Sequence, residues 1–159
     1  MNITLIAVGK IKEQFLLQAL EEYKKRLSRY CTLKIIEIPD EKAPENLSKA
    51  EMTNILEKEA AKIVNKIPSG STVISLEIEA NQMTSEKFAE TIENYGIQGV
   101  SHLCFIIGGS LGLGESIKRI SELNLSFSKM TFPHQMFRVM VLEQVYRSFR
   151  IIRGEPYHK

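Results

Sequence analysis

The chain has 159 residues, a length that fits one domain with a buried core. Hydrophobic residues make up 43% of it and charged residues 25%, a balance that excludes a disordered chain. No apolar stretch approaches the ~18 residues that span a bilayer, and the formal net charge of +2 does not by itself indicate a nucleic-acid-binding protein. We therefore expect one globular domain over residues 1–159, with no membrane segment.

The N-terminus and the cysteines favour a cytoplasmic protein. The first six residues contain no basic leader, so we expect no secretion signal. Cys31 and Cys104 are expected to be reduced and mostly buried rather than joined in a disulfide. No pair of cysteine or histidine residues lies at ligand spacing, and we therefore expect no metal site.

Apolar runs and amphipathic stretches alternate along the chain. The runs predict strands at 3–8, 33–38, 72–76, 102–107 and 123–127. The amphipathic stretches and their stop signals predict helices at 12–30, 48–67, 84–96, 115–120 and 133–153. Ser48 followed by Glu51 is a capping box at the start of the second helix. This alternation is typical of an α/β fold, with a mostly parallel sheet and helices on both faces.

Ligands of such sheets bind at the carboxyl ends of the strands. This rule indicates three segments: 77–79, 108–114 and 128–134. Glycines occupy positions 108, 109, 112 and 114, a spacing that fits neither a dinucleotide fingerprint nor a P-loop. A site for a nucleotide-like ligand and a tight strand-to-helix turn are both compatible with the second segment.

The stretch from Leu125 to Gln135 begins as a strand and ends with a proline placed to start a helix. Its small hydroxyls and apolar side chains suit an uncharged adenosine-like group, although a hydrophobic connector would have the same composition. From Lys129 to the end, six basic residues stand against only two acidic ones. This local charge fits an RNA contact or the solvated face of a terminal helix.

The predicted terminal helix is apolar over most of its circumference. Val141, Val145, Phe149 and Ile152 share one face, and further apolar residues widen it. Such helices are often buried against their own sheet and also against a partner. The pattern therefore favours homodimerisation through this helix, with a fully enclosed core helix as the alternative.

Several segments together resemble a known family. They are 108–112, 125–134, Arg138, Glu143, Tyr146–Arg147, the ending Pro156-Tyr157-His158, the opening 6–10 and the strand end Ile38-Pro39. In this combination they resemble the pseudouridine N3-methyltransferases of large-subunit ribosomal RNA, which belong to the SPOUT class. The resemblance covers essentially the whole chain.

This resemblance implies a trefoil knot in the C-terminal part, a homodimer, and a substrate pseudouridine in large-subunit RNA of the assembled ribosome. It also implies S-adenosylmethionine as the cofactor. The cofactor contacts, carried over residue by residue, are Leu76, Gly108, Phe127, Ser128, Lys129, Met130, Thr131 and Phe132. They coincide with the strand ends that the sheet rule selects.

The implied chemistry is displacement of the sulfonium methyl by N3 of the pseudouridine, which must lose its proton. We expect His158 to accept this proton, because an imidazole can do so near neutral pH. Tyr157 is expected to stack on the base or hydrogen-bond to it, and Arg147 to stabilise the developing anion, a role also open to Arg153. Arg138, Arg153 and Lys159 are expected to contact RNA.

Two alternatives belong to different classes of protein. One is a non-enzymatic module that binds RNA or the ribosome, in which the glycine turn is only structural. The other is a SPOUT methyltransferase that acts on another RNA, such as transfer RNA. An enzyme that uses a nicotinamide cofactor ranks last, since its glycine pattern is missing.

Overall fold

The computed structural model describes residues 1–158 as alternating strands and helices. The strands are β1 (Asn2–Val8), β2 (Thr32–Ile38), β3 (Thr72–Gln82), β4 (His102–Ile107) and β5 (Leu123–Ser126). The helices are α1 (Gln14–Leu27), α2 (Lys49–Val64), α3 (Ser85–Ile97), α4 (Glu115–Ile120) and α5 (His134–Ile152). Within the described residues, none of these helices has both the length and the apolarity to cross a membrane.

The strands form one sheet in the order β2-β1-β4-β3-β5, and every neighbouring pair is parallel. Parallel strands require a crossover between them, and the sequence supplies a helix at each crossover. The predicted parallel α/β sheet is thus confirmed.

Alternating residues of the strands supply two cores on opposite faces of the sheet, as the two-residue repeat of a strand requires. In β1, Ile3, Leu5 and Ala7 pack with buried residues of α1, α3 and α5. Ile6 and Val8 pack on the other face with residues of α2 and α4. The prediction of helices on both faces is therefore confirmed.

β3 differs from its prediction. The sequence predicts that this strand ends at Leu76, but the structure continues it to Gln82. Pairing with β4 ends at Leu76 opposite Ile107, and the pairing with β5 shifts register between Leu76 and Asn81. Polar residues after Leu76 look like a strand end in the sequence, whereas in space they form an irregular extension that separates from β4.

Two local predictions are confirmed. The Ser48 side chain accepts a hydrogen bond from the Glu51 amide, and the Glu51 side chain accepts one from the Ser48 amide. Cys31 and Cys104 are free and buried. Burial raises the pKa of the Cys31 thiol to about 11 and that of Cys104 to about 12, so both thiols stay protonated at neutral pH.

Helix α5 packs against both α1 and α3. Val141 and Val145 are fully buried, and Phe149 stacks on Tyr30 with ring centroids 5.5 Å apart. Its first turn lies at the carboxyl edge of the sheet, and it runs back toward the amino edge. Helix α5 therefore connects the carboxyl edge of the sheet with its amino edge.

Candidate active site

A cavity of about 450 Å³ opens at the carboxyl edge of the sheet, where β4, β3 and β5 end or separate. The last paired residues are Leu76 and Ile107 between β3 and β4, and Leu76 is also opposite Leu125 of β5. The three chain segments that follow these positions diverge and form the walls. The volume lies within the range of pockets that hold small-molecule ligands.

The structure brings together seven of the eight residues that the sequence assigns to the cofactor. They are Leu76, Gly108, Phe127, Ser128, Met130, Thr131 and Phe132, and they all line this cavity. Lys129, the eighth, is not among the lining residues. These seven residues contribute mainly apolar surface, with hydroxyls at Ser128 and Thr131.

The glycine turn forms one wall of the cavity, and its backbone geometry requires glycine. A Cβ atom on Gly108 would lie 2.2 Å from the carbonyl oxygen of Gly112, far inside van der Waals contact. Gly112 has φ +87°, and its amide donates to the Gly109 carbonyl. The turn thus closes on itself through its backbone, and its glycines line the cavity together with Ser110 and Leu111.

Sequence reasoning did not assign several other lining residues. Glu77 and Glu79 place carboxyl groups in the wall, and Lys118 contacts Glu77 with an N–O distance of 3.4 Å. His134 also lines the cavity, from the first residue of α5. All but Lys118 lie inside the three segments that the strand-end rule selects, so that rule could have found them. Together these residues suit a ligand with an apolar ring, hydroxyl groups and a positive charge.

The three predicted catalytic residues form a second cluster, which we call the tail cluster: Arg147, Tyr157 and His158 with Glu143 and Glu86. Arg147 donates to Glu143 from Nε at 3.0 Å and lies over the Tyr157 ring, 4.7 Å from its centroid. The Tyr157 hydroxyl donates to Glu143 at 3.2 Å. His158 lies between Arg147 and Glu86. The structure thus groups these three side chains, and their catalytic role stays a prediction.

The hydrogen-bond partners in the tail cluster assign donor and acceptor roles to His158 and Tyr157. Arg147 can only donate, so His158 Nδ1, 3.2 Å from it, must accept, and Nε2 carries the proton toward Glu86 at 2.7 Å. Hydrogen bonds from its own backbone amide and from His158 lower the pKa of Glu86 to about 2. Burial raises the pKa of Tyr157 to about 12, so its phenol is a hydrogen-bond donor rather than a base.

Within one chain the tail cluster is distant from the cavity. Arg147 lies thirteen residues along α5 from His134, which corresponds to about 20 Å at 1.5 Å per residue. Arg153 follows the last residue of α5, and its guanidinium lies over Tyr30, 4.7 Å from the ring centroid. Neither residue reaches the cavity of its own chain.

The prediction that Arg138 contacts RNA is wrong, because its side chain is 0% exposed. Its guanidinium donates to the carbonyl oxygens of Val8 and Gly9 at 2.9 Å each and to Glu37 at 2.8 Å. Burial lowers the pKa of Arg138, and Glu37 partly offsets this effect. Arg138 is thus a structural residue that joins α5 to the ends of β1 and β2. Lys159, also expected to contact RNA, lies outside the described residues.

The fold and the cavity together define a class of protein: a parallel α/β protein with a ligand-sized cavity at the carboxyl edge of its sheet. The family model described as "Predicted SPOUT methyltransferase" matches residues 1–158. The chain therefore belongs to the SPOUT methyltransferase family and is a methyltransferase. The resemblance seen in the sequence is confirmed at this level.

Relatives of the same length exist in clostridia. The chain is 57% identical to ribosomal RNA large subunit methyltransferase H 1 of Clostridium perfringens, over 100% of both chains. It is 55% identical to ribosomal RNA large subunit methyltransferase H of Clostridium botulinum, again over 100% of both.

Solved structures with the same fold are much more distant in sequence. A methylase family protein of Haemophilus influenzae has a TM-score of 0.58 at 13% identity, covering 99% of this chain and 70% of that one. A methyltransferase of Legionella pneumophila, solved with its cofactor S-adenosylmethionine, has a TM-score of 0.51 at 12% identity, covering 94% of this chain and 66% of that one. These structures support the fold alone.

Proposed function

We propose that this protein transfers a methyl group from S-adenosylmethionine to N3 of a pseudouridine in large-subunit ribosomal RNA, on assembled ribosomes in the cytoplasm. The names of its full-length relatives support ribosomal RNA as the substrate. The observation that carries the proposal is the cavity, because its lining matches the cofactor in chemistry and its position follows the strand ends.

The residues of the cavity fit S-adenosylmethionine. Leu76, Met130 and Phe132 offer apolar walls for the adenine ring, and the backbone of the glycine turn allows close approach. Glu77 and Glu79 offer carboxylates for ribose hydroxyls or for the positive charges of the cofactor. The bound cofactor supplies an electrophilic methyl group on a sulfonium centre.

The protein must align the attacking nitrogen with this methyl group and help the nitrogen lose its proton. Orientation alone is worth roughly 7–11 kcal/mol in favourable intramolecular systems. His158 is the proposed acceptor of the N3 proton, with Nδ1 as the accepting atom, since Nε2 already donates to Glu86. Arg147 must leave Nδ1 for this role, and it then becomes free to stabilise the negative charge that develops on the base.

A homodimer through α5 would bring the tail cluster to the cavity of the partner. A groove of about 400 Å³ runs along α5 from Phe127 and Phe132, which also line the cavity, to Glu143 of the tail cluster. Met136, Val139 and Met140 form its apolar wall on α5. If two copies of α5 pair antiparallel about Met140, position 147 of one helix faces Pro133 of the partner subunit. The same pairing sets Arg153 near the cavity of the partner subunit, in keeping with its predicted RNA contact.

We expect Met140→Glu to convert the dimer to monomer. A charge at the centre of an isologous interface occurs twice and faces itself, so its cost is doubled. Sedimentation velocity measures the change, and Lys25→Glu, on the exposed part of α1, is the matched control. A Met140→Glu protein that remains dimeric would exclude this face as the interface.

We expect His158→Ala to lower the single-turnover rate of methyl transfer by about 100-fold or more while leaving the affinity for S-adenosylmethionine unchanged. Tyr157→Phe is the companion variant, because it keeps the ring and removes only the bond to Glu143. An unchanged rate for His158→Ala, with the cofactor bound, would remove His158 from the proton transfer.

Transfer of labelled methyl from S-adenosylmethionine tests the function as a whole. The substrates are intact ribosomes, isolated large-subunit RNA and bulk transfer RNA, each from cells that lack this protein. We expect label in the large-subunit RNA of intact ribosomes, at a pseudouridine. Label only in transfer RNA would overturn the substrate, and a protein that neither transfers label nor binds the cofactor would instead be a binding module.

A further inference from the structure

The segment 9–13, which we call the β1–α1 loop, lies at the rim of the cavity. Strand β1 is the neighbour of β4, so the loop leaves the sheet beside the glycine turn. A Cβ atom placed on Gly9 would lie 3.7 Å from Nε2 of His134, and His134 lines the cavity. Any RNA that presents a base to the cavity must therefore pass close to this loop.

Buried and partly buried side chains form hydrogen bonds with the backbone of the loop and of the end of β1. The buried Arg138 binds the carbonyl oxygens of Val8 and Gly9 and also Glu37. The same Glu37 oxygen accepts the amide of Ile11 at 3.1 Å. Side-chain bonds therefore hold the backbone at the end of β1 and at Gly9 and Ile11 of the loop, which restricts its conformation before any ligand binds.

The next residues of the loop are fixed in the same way. Gln135, on the first turn of α5, accepts the amide of Lys12 at 3.0 Å. Ile11 is 8% exposed and belongs to the core, which turns the residues on either side of it outward. The residues on either side of Ile11 are therefore the two side chains that the restrained loop presents to solvent.

Those two side chains are Lys10 and Lys12, and both are exposed. In the part of the chain that the structure describes, neither ammonium forms a salt bridge, whereas Arg138 below them is neutralised by Glu37. The loop after β2, on the side away from the cavity, carries Asp40 and Glu45. That loop also carries Glu41 and Lys42, so its net charge is −2, whereas the β1–α1 loop, with Lys10, Lys12 and Glu13, has a net charge of +1.

We propose that Lys10 and Lys12 are a phosphate-binding site for the RNA strand that flanks the target base. The proposal rests on the proposed function, since it assumes that the target base of an RNA meets the methyl group of a cofactor bound in the cavity. A base that enters a pocket must leave its stack, and contacts to the neighbouring phosphates stabilise this state. Because the backbone of the β1–α1 loop is already held in one conformation, less conformational entropy is lost when the two lysines bind phosphates.

The test compares Lys10→Ala/Lys12→Ala with Lys25→Ala/Lys66→Ala. The control changes the charge equally, and both of its lysines are exposed near the C-terminal ends of α1 and α2, at the opposite edge of the sheet. RNA binding is measured by filter retention of large-subunit RNA across a salt series, and cofactor binding by calorimetry. We expect the loop variant to bind RNA about tenfold more weakly at ~0.1 M salt, with a log–log salt slope smaller by about 1.5 to 2.

Affinity for S-adenosylmethionine should be unchanged in both variants, and Lys10→Arg/Lys12→Arg should restore RNA binding because it restores the charge. If the loop variant matches the control in affinity and in salt slope, the proposal is wrong. If the wild type binds the cofactor and the RNA but methylates neither isolated large-subunit RNA nor intact ribosomes, the proposed function fails. The comparison of RNA binding between the variants would then still show whether Lys10 and Lys12 bind RNA.

Discussion

Replacing Arg138 by Met is expected to lower the free energy of unfolding by about 3 kcal/mol, since it leaves buried polar groups without a partner. The guanidinium is fully enclosed and provides the only side-chain donors to the carbonyl oxygens of Val8 and Gly9 among residues 1–158. Met fills much of the space but donates no hydrogen bond. Glu37 is 36% exposed, so water compensates for part of its loss.

Urea denaturation followed by circular dichroism measures this effect, with Arg119→Met as the matched control. Arg119 is exposed on α4, and its replacement should change stability by less than about 0.5 kcal/mol. Arg138→Lys should lie between wild type and Arg138→Met, because one ammonium keeps the charge but cannot reach three acceptors in the same plane. A loss below about 1 kcal/mol for Arg138→Met would show that the three bonds contribute little.

The second large effect is expected for Gly108→Ala, which should weaken binding of S-adenosylmethionine by at least about tenfold. The added Cβ would lie 2.2 Å from the backbone oxygen of Gly112. Backbone cannot move aside as the end of a flexible side chain can, so the turn must open. An opened turn no longer presents the same wall to the ligand, and its strain should cost about 1–3 kcal/mol of stability.

Isothermal titration calorimetry measures the affinity, and Gly96→Ala is the control for the same chemical change. Gly96 lies in α3, where an added Cβ would lie 3.6 Å from the end of the Met1 side chain, an ordinary contact. Alanine in a helix is favoured over glycine by up to about 1 kcal/mol, so this variant should be as stable as the wild type or more so. Unchanged cofactor affinity in folded Gly108→Ala would mean that the turn is not part of the binding site.

Local patterns in the sequence were sufficient for most elements. β4 and α4 have the predicted bounds, and the capping box at Ser48 begins α2 as expected. β3 is the exception, since polar residues after Leu76 conceal the continuation of the strand. An alternation of strands and helices also implies a parallel sheet, because only a crossover can connect parallel neighbours. The trefoil knot stays a prediction from the family.

The cofactor cavity could be predicted because it obeys a rule of topology. Strand ends of a parallel sheet share one edge. Residues near 76, 108 and 127 meet there because β4, β3 and β5 are also neighbours in the sheet, which the structure shows. The grouping of Arg147, Tyr157 and His158 came from the resemblance, and their separation from the cavity within one chain follows from the length of α5.

Arg138 shows where reasoning from the sequence stops. By sequence it is one basic residue among several on the border of a terminal helix, and its charge suggests an RNA contact. Its partner Glu37 is 101 residues away in the chain, and the carbonyl groups that it binds carry no sequence signal at all. The sequence by itself determined the elements, the parallel sheet and the edge that binds the cofactor, because periodicity and chain order are local properties. Only the tertiary structure decided that Arg138 is buried and hydrogen-bonded to backbone while Lys10 and Lys12 are exposed, since burial depends on how distant segments pack.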